Sequence, residues 1–254
     1  MNVSKDNPKR TKDKKAKTIA VIPARGGSKR IIGKNTRVFA GQPLIAYSIK
    51  VAQSSGLFDD IIVTTDSDKI ADLAKQFGAT VPFLRPSDLS DDLTGTRPVT
   101  NHAIRWYQDN IGALDYCCCI YATAPFLQAN YLKAGLDALD EDSSKAFAYS
   151  VTSFPFPIQR ALFMQANYAE PAFKEDIMKR SQDLPEAYHD AGQFYWGRAE
   201  DYLSSKAIFS EHGIPIILPR HLVQDIDTEE DWLRAELMYK AYMQSSHETN
   251  SGSN

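Results

Sequence analysis

A basic loop with two adjacent glycines follows the first apolar run of the chain. Residues 19–22 predict a buried strand that ends at Pro23, and the next helix is expected only from Pro43. A loop of this length is usually functional, adjacent glycines let a backbone approach a ligand, and cationic side chains suit a polyanion. The loop is therefore predicted to bind phosphate, with a solvated basic turn as the alternative. Its candidate binding residues are Arg25, Gly26, Gly27, Ser28, Lys29 and Lys34.

A pair of carboxylates lies near the C-terminal end of the chain. In an extended segment Asp225 and Asp227 share one face while Ile226 turns to the core. Two neighbouring carboxylates repel each other unless a cation lies between them, and hard oxygen ligands beside a triphosphate suit Mg²⁺. The pair predicts a Mg²⁺ site. The alternative is that both residues only precede the last helix.

Alternating apolar runs and amphipathic stretches predict an α/β fold. One helix is expected from Pro43 to Gly56, and a second after Ser67, which can cap it, up to Gly78. Strand–helix alternation predicts parallel strands joined by right-handed crossovers, hence a doubly wound, mostly parallel, Rossmann-like sheet. Further strands are expected at 60–66, 81–84, 115–121, 146–151, 192–196 and 214–218, and a final helix from residue 232.

The alternation breaks down between residues 152 and 188. Pro155 and Pro157 exclude a central strand there, and aromatic and methionine residues are frequent. A small insert that packs on a second chain, giving a homodimer, is predicted for this segment. The main domain is expected to span 17–244, with a basic disordered tail at 1–16 and a polar disordered tail at 245–254.

The composition argues against several kinds of partner. The net charge of −3 argues against bulk nucleic-acid binding. No apolar run approaches the roughly 20 residues of a membrane span. The consecutive Cys117, Cys118 and Cys119 suit neither a disulfide framework nor a zinc site. They are expected in a buried strand of a cytoplasmic protein.

The stretch from Ala24 to Asn35, A-R-G-G-S-K-x-I-x-G-K-N, resembles the nucleotide-binding signature of the CMP-sugar synthetases. These are the cytidylyltransferases that activate nonulosonic acids and KDO. The resemblance implies a sheet of the nucleotidyltransferase type. In that family the matching positions hold the phosphates and base of CTP. The sequence departs from the family at residues 30–32, where Arg-Ile-Ile replaces the common Gly-Ile/Leu-Pro. The positions that match the signature are Arg25, Ser28, Lys29, Lys34 and Asn35.

Further matches imply roles for other residues. The segment from Arg85 resembles the family's R-P-x-x-L-x-x-D, which implies that Arg85 and Thr96 bind the cytidine nucleotide and that Asp92 positions the loop. Residues 121–126 resemble Q-P-T-S-P-L with tyrosine in place of the substrate-contacting glutamine. The segment at 225–227 matches the D-I-D motif that supplies metal ligands. The sugar-binding positions implied by the resemblance are Tyr121, Arg160, Arg180, Gln193 and Tyr195.

One further pair, His189 and Asp190, could suggest acid/base chemistry. Adjacent residues on an extended chain point to opposite faces, so the two side chains would not easily act together. Ordinary polar loop residues are the preferred interpretation.

The resemblance implies that CTP and an acidic nine-carbon sugar give a CMP-sugar and pyrophosphate, with Mg²⁺ as cofactor. Arg25, Lys29 and Asp225 are the implied catalytic residues, and both Asp225 and a metal-bound water are open as general base. The segments SVTSFPFPIQRA and DAGQFYWG look most like the pseudaminic acid cytidylyltransferases, with legionaminic or N-acetylneuraminic acid as the alternative sugar. A sugar-1-phosphate nucleotidyltransferase would be expected to show G-x-G-T-R, which is absent. A non-catalytic nucleotide-binding regulator would not need the carboxylate pair.

Overall fold

The computed structural model describes residues 16–251 and the side chains of residues 16–244. The predicted tail at 1–16 lies outside the described residues except for Ala16. The strands are β1 Thr18–Pro23, β2 Val38–Phe39, β3 Gln42–Pro43, β4 Asp60–Thr64, β5 Tyr116–Ile120, β6 Phe147–Ser153, β7 Leu162–Met164, β8 Ala169–Pro171, β9 Tyr188–Arg198 and β10 Gly213–Ile217. The helices are α1 Leu44–Ser55, α2 Asp68–Gln76, α3 Thr96–Asn110, α4 Ala129–Glu141, α5 Ala199–Tyr202 and α6 Glu229–Ser251.

The central sheet has six strands in the order β10-β6-β9-β5-β1-β4. Strand β1 is parallel to β4 and β5, and β10 is parallel to β6, while β9 runs antiparallel between β5 and β6. The predicted mostly parallel, doubly wound fold is confirmed. The carboxyl ends of β1, β4, β5, β6 and β10 therefore lie at one edge of the sheet, where open α/β sheets bind their ligands.

Both faces of the sheet are covered because its central strands are apolar on both sides. In β1, Ala20 and Ile22 join the core under α1, α2 and α4, whereas Ile19 and Val21 join the core under α3 and α5. A residue-by-residue alternation of this kind is the pattern of a fully buried parallel strand. The cysteines of β5 are divided between the two cores in the same way and are free thiols.

A third apolar cluster joins the start of the chain to its last helix. Phe39 of the β2–β3 hairpin meets the Trp232 ring of α6 edge-on, with 5.5 Å between the ring centroids. The Arg37 guanidinium lies over the same indole, 4.3 Å from its centroid. Helix α6 continues through residues 245–251, into the predicted polar tail, because no glycine or proline interrupts it before Gly252. Residues 252–254 lie outside the described residues.

Two local predictions differ from the structure. Helix α1 begins at Leu44 rather than Pro43, because Pro43 pairs with Val38 in the short hairpin and occupies the N-cap position. The segment at 81–84 forms no continuous strand but makes isolated bridges, one of them from Leu84 to Thr65. Pro82 within the segment and Pro86 just beyond it lack the backbone donors that a regular ladder needs.

The predicted insert leaves the sheet at the end of β6 and returns to it at β9. It contains the β7–β8 hairpin and two single 3₁₀ turns, Ile158–Arg160 and Ser181–Asp183. Its apolar side chains are largely exposed on the single chain. Within the part of the chain that the structure describes, no helix has the length and apolar character needed to cross a membrane.

Candidate functional site

The basic loop begins where β1 ends and is held close to the neighbouring strand. The Gly26 backbone N–H donates to Asp66 Oδ1 at 2.8 Å, which brings the loop against the start of α2. A Cβ on Gly26 would lie 3.0 Å from Ser67 Cβ, so a larger residue would force the two segments apart. A Cβ on Gly27 would meet nothing within 4 Å. The loop is thus closely packed at its first glycine and open to a ligand at its second.

Three residues of the second half of the loop fold it back onto the protein. Asn35 Nδ2 donates to the Arg25 carbonyl at 3.0 Å, and Lys34 Nζ donates to the Ile226 carbonyl at 2.7 Å. Ile31 is 1% exposed and fixes the loop to the third apolar cluster. Asn35 and Lys34 therefore shape the loop, and Lys29 is left projecting from it, with its side chain 78% exposed.

The Asp92 carboxylate forms ion pairs with the two cations that were predicted to bind phosphate. Arg25 Nη1 donates to Asp92 Oδ1 at 2.5 Å, and Lys29 pairs with the other oxygen of the same carboxylate. The hydrogen bonds from Lys29 and then from Arg25 lower the pKa of Asp92 below its ordinary value. An anionic group thus already lies where a phosphate of the ligand is expected.

Beside the loop lies a cavity of about 220 Å³, here called the basic cavity. Arg85 in its wall is 7% exposed, and its Nε and Nη2 find no hydrogen-bond partner among the described residues. The closest carboxylate oxygen, on Asp66, is 3.8 Å from Nη2, and burial lowers the pKa of the guanidinium. Because unpaired buried donors are costly, a polar acceptor is expected in this cavity. The lining residues are Pro23, Arg25, Asn35, Arg85, Thr94, Thr96, Val99, Tyr121, Ala122 and Thr123.

A larger cavity of about 560 Å³, the mixed-charge cavity, adjoins Tyr121 on another side. It contains two carboxylates, Asp190 and Asp225, and two arginines, Arg220 and Arg234. Burial, and then the charge of Asp227, raises the pKa of Asp225 above its ordinary value. The lining residues are Tyr121, Thr152, Ser153, Pro155, His189, Asp190, Ala191, Gly192, Arg220, Val223, Gln224, Asp225 and Arg234.

Asp227 differs from Asp225 because both of its oxygens already contact cations. Arg30 Nη2 lies 2.6 Å from Oδ2, and Lys34 Nζ lies 3.1 Å from Oδ1. Among the described side chains, no group of three or more histidine, cysteine or carboxylate residues could hold a metal ion. Mg²⁺ is commonly held by one or two carboxylates together with substrate phosphates. The like-charge repulsion at Asp225 and the oxygen-only donor set of the pair fit that arrangement.

A third cavity of about 240 Å³, the apolar cavity, also adjoins Tyr121. The lining residues are Gly95, Thr96, Arg97, Pro98, Thr100, Cys119, Tyr121, Asp190, Tyr195, Tyr202, Ile208 and Phe209. The Tyr121 hydroxyl lies 3.0 Å from Thr96 Oγ1, and its ring packs 5.3 Å from the Tyr195 ring between centroids. Tyr195 donates to Asp190 Oδ2 at 2.5 Å. Tyr121 lines all three cavities and is their common wall.

The predicted sugar-binding residues are not all brought together. Tyr121 lines the mixed-charge cavity and Tyr195 the apolar one, whereas Gln193 is buried and donates to the Leu222 carbonyl at 2.5 Å. Arg160 donates to the Lys179 carbonyl and Arg180 pairs with Asp183, so both arginines lie on the insert and line none of the three cavities.

Three charged residues at the mixed-charge cavity were not predicted to bind a ligand: Asp190, Arg220 and Arg234. Arg220 lies just beyond the carboxyl end of β10, and that position could have indicated it. Arg234 lies on the exposed side of α6, and no sequence signal distinguishes it from a surface charge.

Fold and site together define an α/β protein of nucleotidyltransferase type, with a basic loop after the first strand and a carboxylate pair that contacts this loop through Asp227. Residues 19–247 match the model of the cytidylyltransferase family, and the chain belongs to that family. The resemblance found in the sequence is confirmed.

Individual relatives agree with this assignment, and a solved structure shares the fold. The chain is 44% identical to a pseudaminic acid cytidylyltransferase of Campylobacter jejuni, over 91% of this chain and 99% of the relative. It is 33% identical to a CMP-N,N'-diacetyllegionaminic acid synthase of Legionella pneumophila, over 86% and 94%. A CMP:2-keto-3-deoxy-manno-octonic acid synthetase solved with CTP shares the fold, with a TM-score of 0.66 at 13% identity over 89% of this chain and all of that one.

Proposed function

We propose that this protein transfers the cytidylyl group of CTP to pseudaminic acid and releases pyrophosphate. The observation that carries cytidylyl transfer is Arg85, a buried guanidinium with unpaired donors beside a basic loop, in a chain of the cytidylyltransferase family. The choice of sugar rests on the similarity to the Campylobacter jejuni enzyme, which extends over nearly the full length of both chains.

The nucleotide is assigned to the basic loop and the basic cavity. A cytosine ring offers a carbonyl oxygen and a ring nitrogen as acceptors, and the free Arg85 donors suit them. Thr96 and Asn35 complete the polar part of the wall. The triphosphate would lie along the open second glycine, where Arg25 and Lys29 exchange the Asp92 carboxylate for phosphate oxygens.

The acid sugar is assigned to the mixed-charge cavity, which shares the Tyr121 wall with the nucleotide. Its anomeric hydroxyl oxygen forms the new bond to the α-phosphorus, and the bond from that phosphorus to the leaving pyrophosphate breaks. Arg25 and Lys29 stabilise the charge that develops on pyrophosphate. Asp225 faces this cavity and suits two roles, metal ligand and acceptor of the hydroxyl proton.

Asp225 and Asp227 are proposed to hold Mg²⁺ together with the phosphates of CTP. When bound, the ion would offset the negative charge of the triphosphate and of the leaving group. Arg30 and Lys34 contact both oxygens of Asp227, so its carboxylate must exchange at least one of these contacts to bind the ion.

The insert is proposed to form a homodimer. Phe163, Met164 and Met178 are 62%, 79% and 91% exposed on the single chain, which is unusual for clustered apolar residues unless a partner covers them. Arg160 and Arg180 lie on this insert, and their contact with the sugar stays a prediction. A cytoplasmic location is proposed from the three free, buried thiols.

The nucleotide assignment is tested by pyrophosphate release with CTP, UTP, ATP and GTP in the presence of pseudaminic acid. CTP should support turnover far better than the other three. Arg85→Gln should lose most of this activity, whereas Arg105→Gln, which changes an exposed arginine of α3, should retain it. Equal turnover with ATP or UTP would contradict the cytidylyltransferase assignment.

The alternative sugars are tested in the same assay. Legionaminic acid is the second candidate because of the Legionella pneumophila relative. A panel of pseudaminic, legionaminic and N-acetylneuraminic acids should show the highest kcat/KM for pseudaminic acid. A protein that binds CTP but turns over none of the three would instead be a nucleotide-binding regulator.

A further inference from the structure

Asp190 lies at the boundary between the mixed-charge cavity and the apolar cavity and lines both. It is the residue of β9 paired with Val151 of β6, next to a shift in register between the two strands. Gly192, two residues further on, has a φ of +60°. Irregularities of this kind re-aim side chains next to active sites. The bulge therefore turns Asp190 toward the cavities.

Two hydrogen bonds fix the orientation of the Asp190 carboxylate. The Gly192 backbone N–H donates to Oδ1 at 2.9 Å, and the Tyr195 hydroxyl donates to Oδ2 at 2.5 Å. The residue remains exposed to the cavities, and each oxygen has lone-pair capacity left. Asp190 is thus an oriented anionic acceptor with room for another donor.

The neighbouring His189 does not share this role. Its Nδ1 contacts the backbone carbonyl of Asp190 at 2.9 Å, and its ring packs against Phe154 with 4.8 Å between centroids. An acid/base pair between the two side chains is therefore not formed. His189 lines the mixed-charge cavity as well, but of the two neighbours it is Asp190 that presents a charged acceptor to it.

The charges around the mixed-charge cavity determine which groups of a ligand can approach the Asp190 carboxylate. A sugar acid is an anion, so its own carboxylate is repelled by Asp190 and attracted by Arg220 and Arg234 of the same cavity. A group that approaches Asp190 must instead donate a hydrogen bond, as an amide N–H or a hydroxyl does. The bound sugar is oriented by these opposite preferences.

We propose that Asp190 is a specificity-determining residue, which accepts a hydrogen bond from an N–H or O–H of the sugar away from its carboxylate. This inference rests on the proposed function, because it takes the occupant of the mixed-charge cavity to be a sugar acid. Asp190 reaches the wall of the basic cavity only indirectly, since Tyr195 packs on Tyr121 and Tyr121 contacts Thr96.

Two variants separate a direct contact from an indirect one. Asp190→Asn keeps the shape and an oxygen for the Gly192 N–H but removes the anionic acceptor. Tyr195→Phe removes the hydrogen bond from Tyr195 but leaves the carboxylate for the sugar. Asp137→Asn, on the far helix α4, is the control for loss of one carboxylate charge.

The expected result is a rise of about tenfold to a hundredfold in the KM for pseudaminic acid in Asp190→Asn, the loss typical of a hydrogen bond to a charged group. The KM for CTP should stay within about twofold, and Tyr195→Phe should affect the sugar KM much less. Melting temperatures identify an unfolded variant, and Asp190→Ser then replaces Asp190→Asn. An unchanged sugar KM, or equal effects of the Asp190 and Tyr195 variants, would overturn the inference.

Calorimetric binding of pseudaminic acid separates this inference from the proposed function. Wild-type protein that binds the sugar with the same dependence on Asp190 but releases no pyrophosphate would support the inference and overturn the proposed activity. Wild-type protein that binds no sugar acid would overturn both.

Discussion

Asp225 and Asp227 belong to one short segment, yet their carboxylates have different surroundings. Asp225 faces the mixed-charge cavity, and its pKa is raised chiefly by burial. Asp227 is held by Arg30 and Lys34. The alternation of side chains along an extended segment places both residues on the same face, so the sequence alone did not distinguish them. It does not show which other side chains contact that face. Arg30, the departure from the family signature, is one of those partners.

Asp225→Ala should leave the fold intact and reduce turnover on the order of a thousandfold, because the proposed metal ligand is lost. Because burial raises the pKa of Asp225, its ionised form is less favourable in the folded than in the unfolded chain, so removing the carboxylate should not lower the free energy of unfolding at neutral pH. Pyrophosphate release measured against Mg²⁺ concentration should show partial rescue in Asp225→Ala and in Asp227→Ala.

The double variant should show hardly any rescue, and Asp72→Ala on the exposed side of α2 should behave as wild type. Near wild-type turnover of both single variants at low Mg²⁺ would mean that the pair only precedes helix α6.

Gln193 and Arg85 illustrate what the sequence could indicate at single residues. Arg85 was implied by a motif match, and the structure adds that its donors are buried and unpaired. Gln193 was implied by its neighbourhood, but its amide bonds the Leu222 carbonyl and ties β9 to the segment after β10. A residue in an extended strand points to one of two faces, and only tertiary packing decides whether that face is a cavity or the core.

At the scale of elements, the loop after β1 and the segment before α3 are joined through Asp92. Two hydrogen-bonded cations lower the pKa of this carboxylate, so the contact is complete at neutral pH and is lost as pH falls through the folded pKa. The same two cations, Arg25 and Lys29, are proposed to bind the phosphates of the nucleotide. On that proposal, the contact between the two elements would compete with the nucleotide.

Asp92→Asn should bind CTP about threefold more tightly than wild type at neutral pH, because an exposed competing ion pair is removed. Calorimetric titration with CTP measures this, and the two proteins should converge at acidic pH, where Asp92 of the wild type is protonated. Asp88→Asn, in the same segment, is the control. Weaker CTP binding by Asp92→Asn would show that the carboxylate positions the loop, as the family resemblance implies.

At the scale of the whole molecule, hydropathy predicted where the main strands lie along the chain, but not their order in the sheet. Long apolar runs such as β1 and β5 are buried on both faces, and that burial makes their pattern unambiguous. The antiparallel direction of β9 could not be predicted, since a strand that returns from an irregular insert carries no sign of its direction. The three cavities likewise depend on tertiary packing around Tyr121.

The exposed apolar side chains of the insert lead us to expect that the protein is a homodimer. Light scattering at micromolar concentration should give twice the mass of one chain. The double variant Phe163→Glu, Met164→Glu should give a monomer, because two charges would have to be buried in the interface. Leu237→Glu, at an equally exposed apolar residue of α6, should stay dimeric. A stable wild-type monomer would refute the dimer.

The three cysteines of β5 give the chain a useful experimental property. They are the only cysteines of the sequence, each is at most 2% exposed, and burial raises the pKa of every one of their thiols. Alkylating reagents require an accessible thiolate. The native protein therefore behaves as an unreactive background, in which a single cysteine introduced on the β7–β8 hairpin would take a fluorescent or spin label selectively. Movement of the insert can be followed with such a label without replacing any core residue.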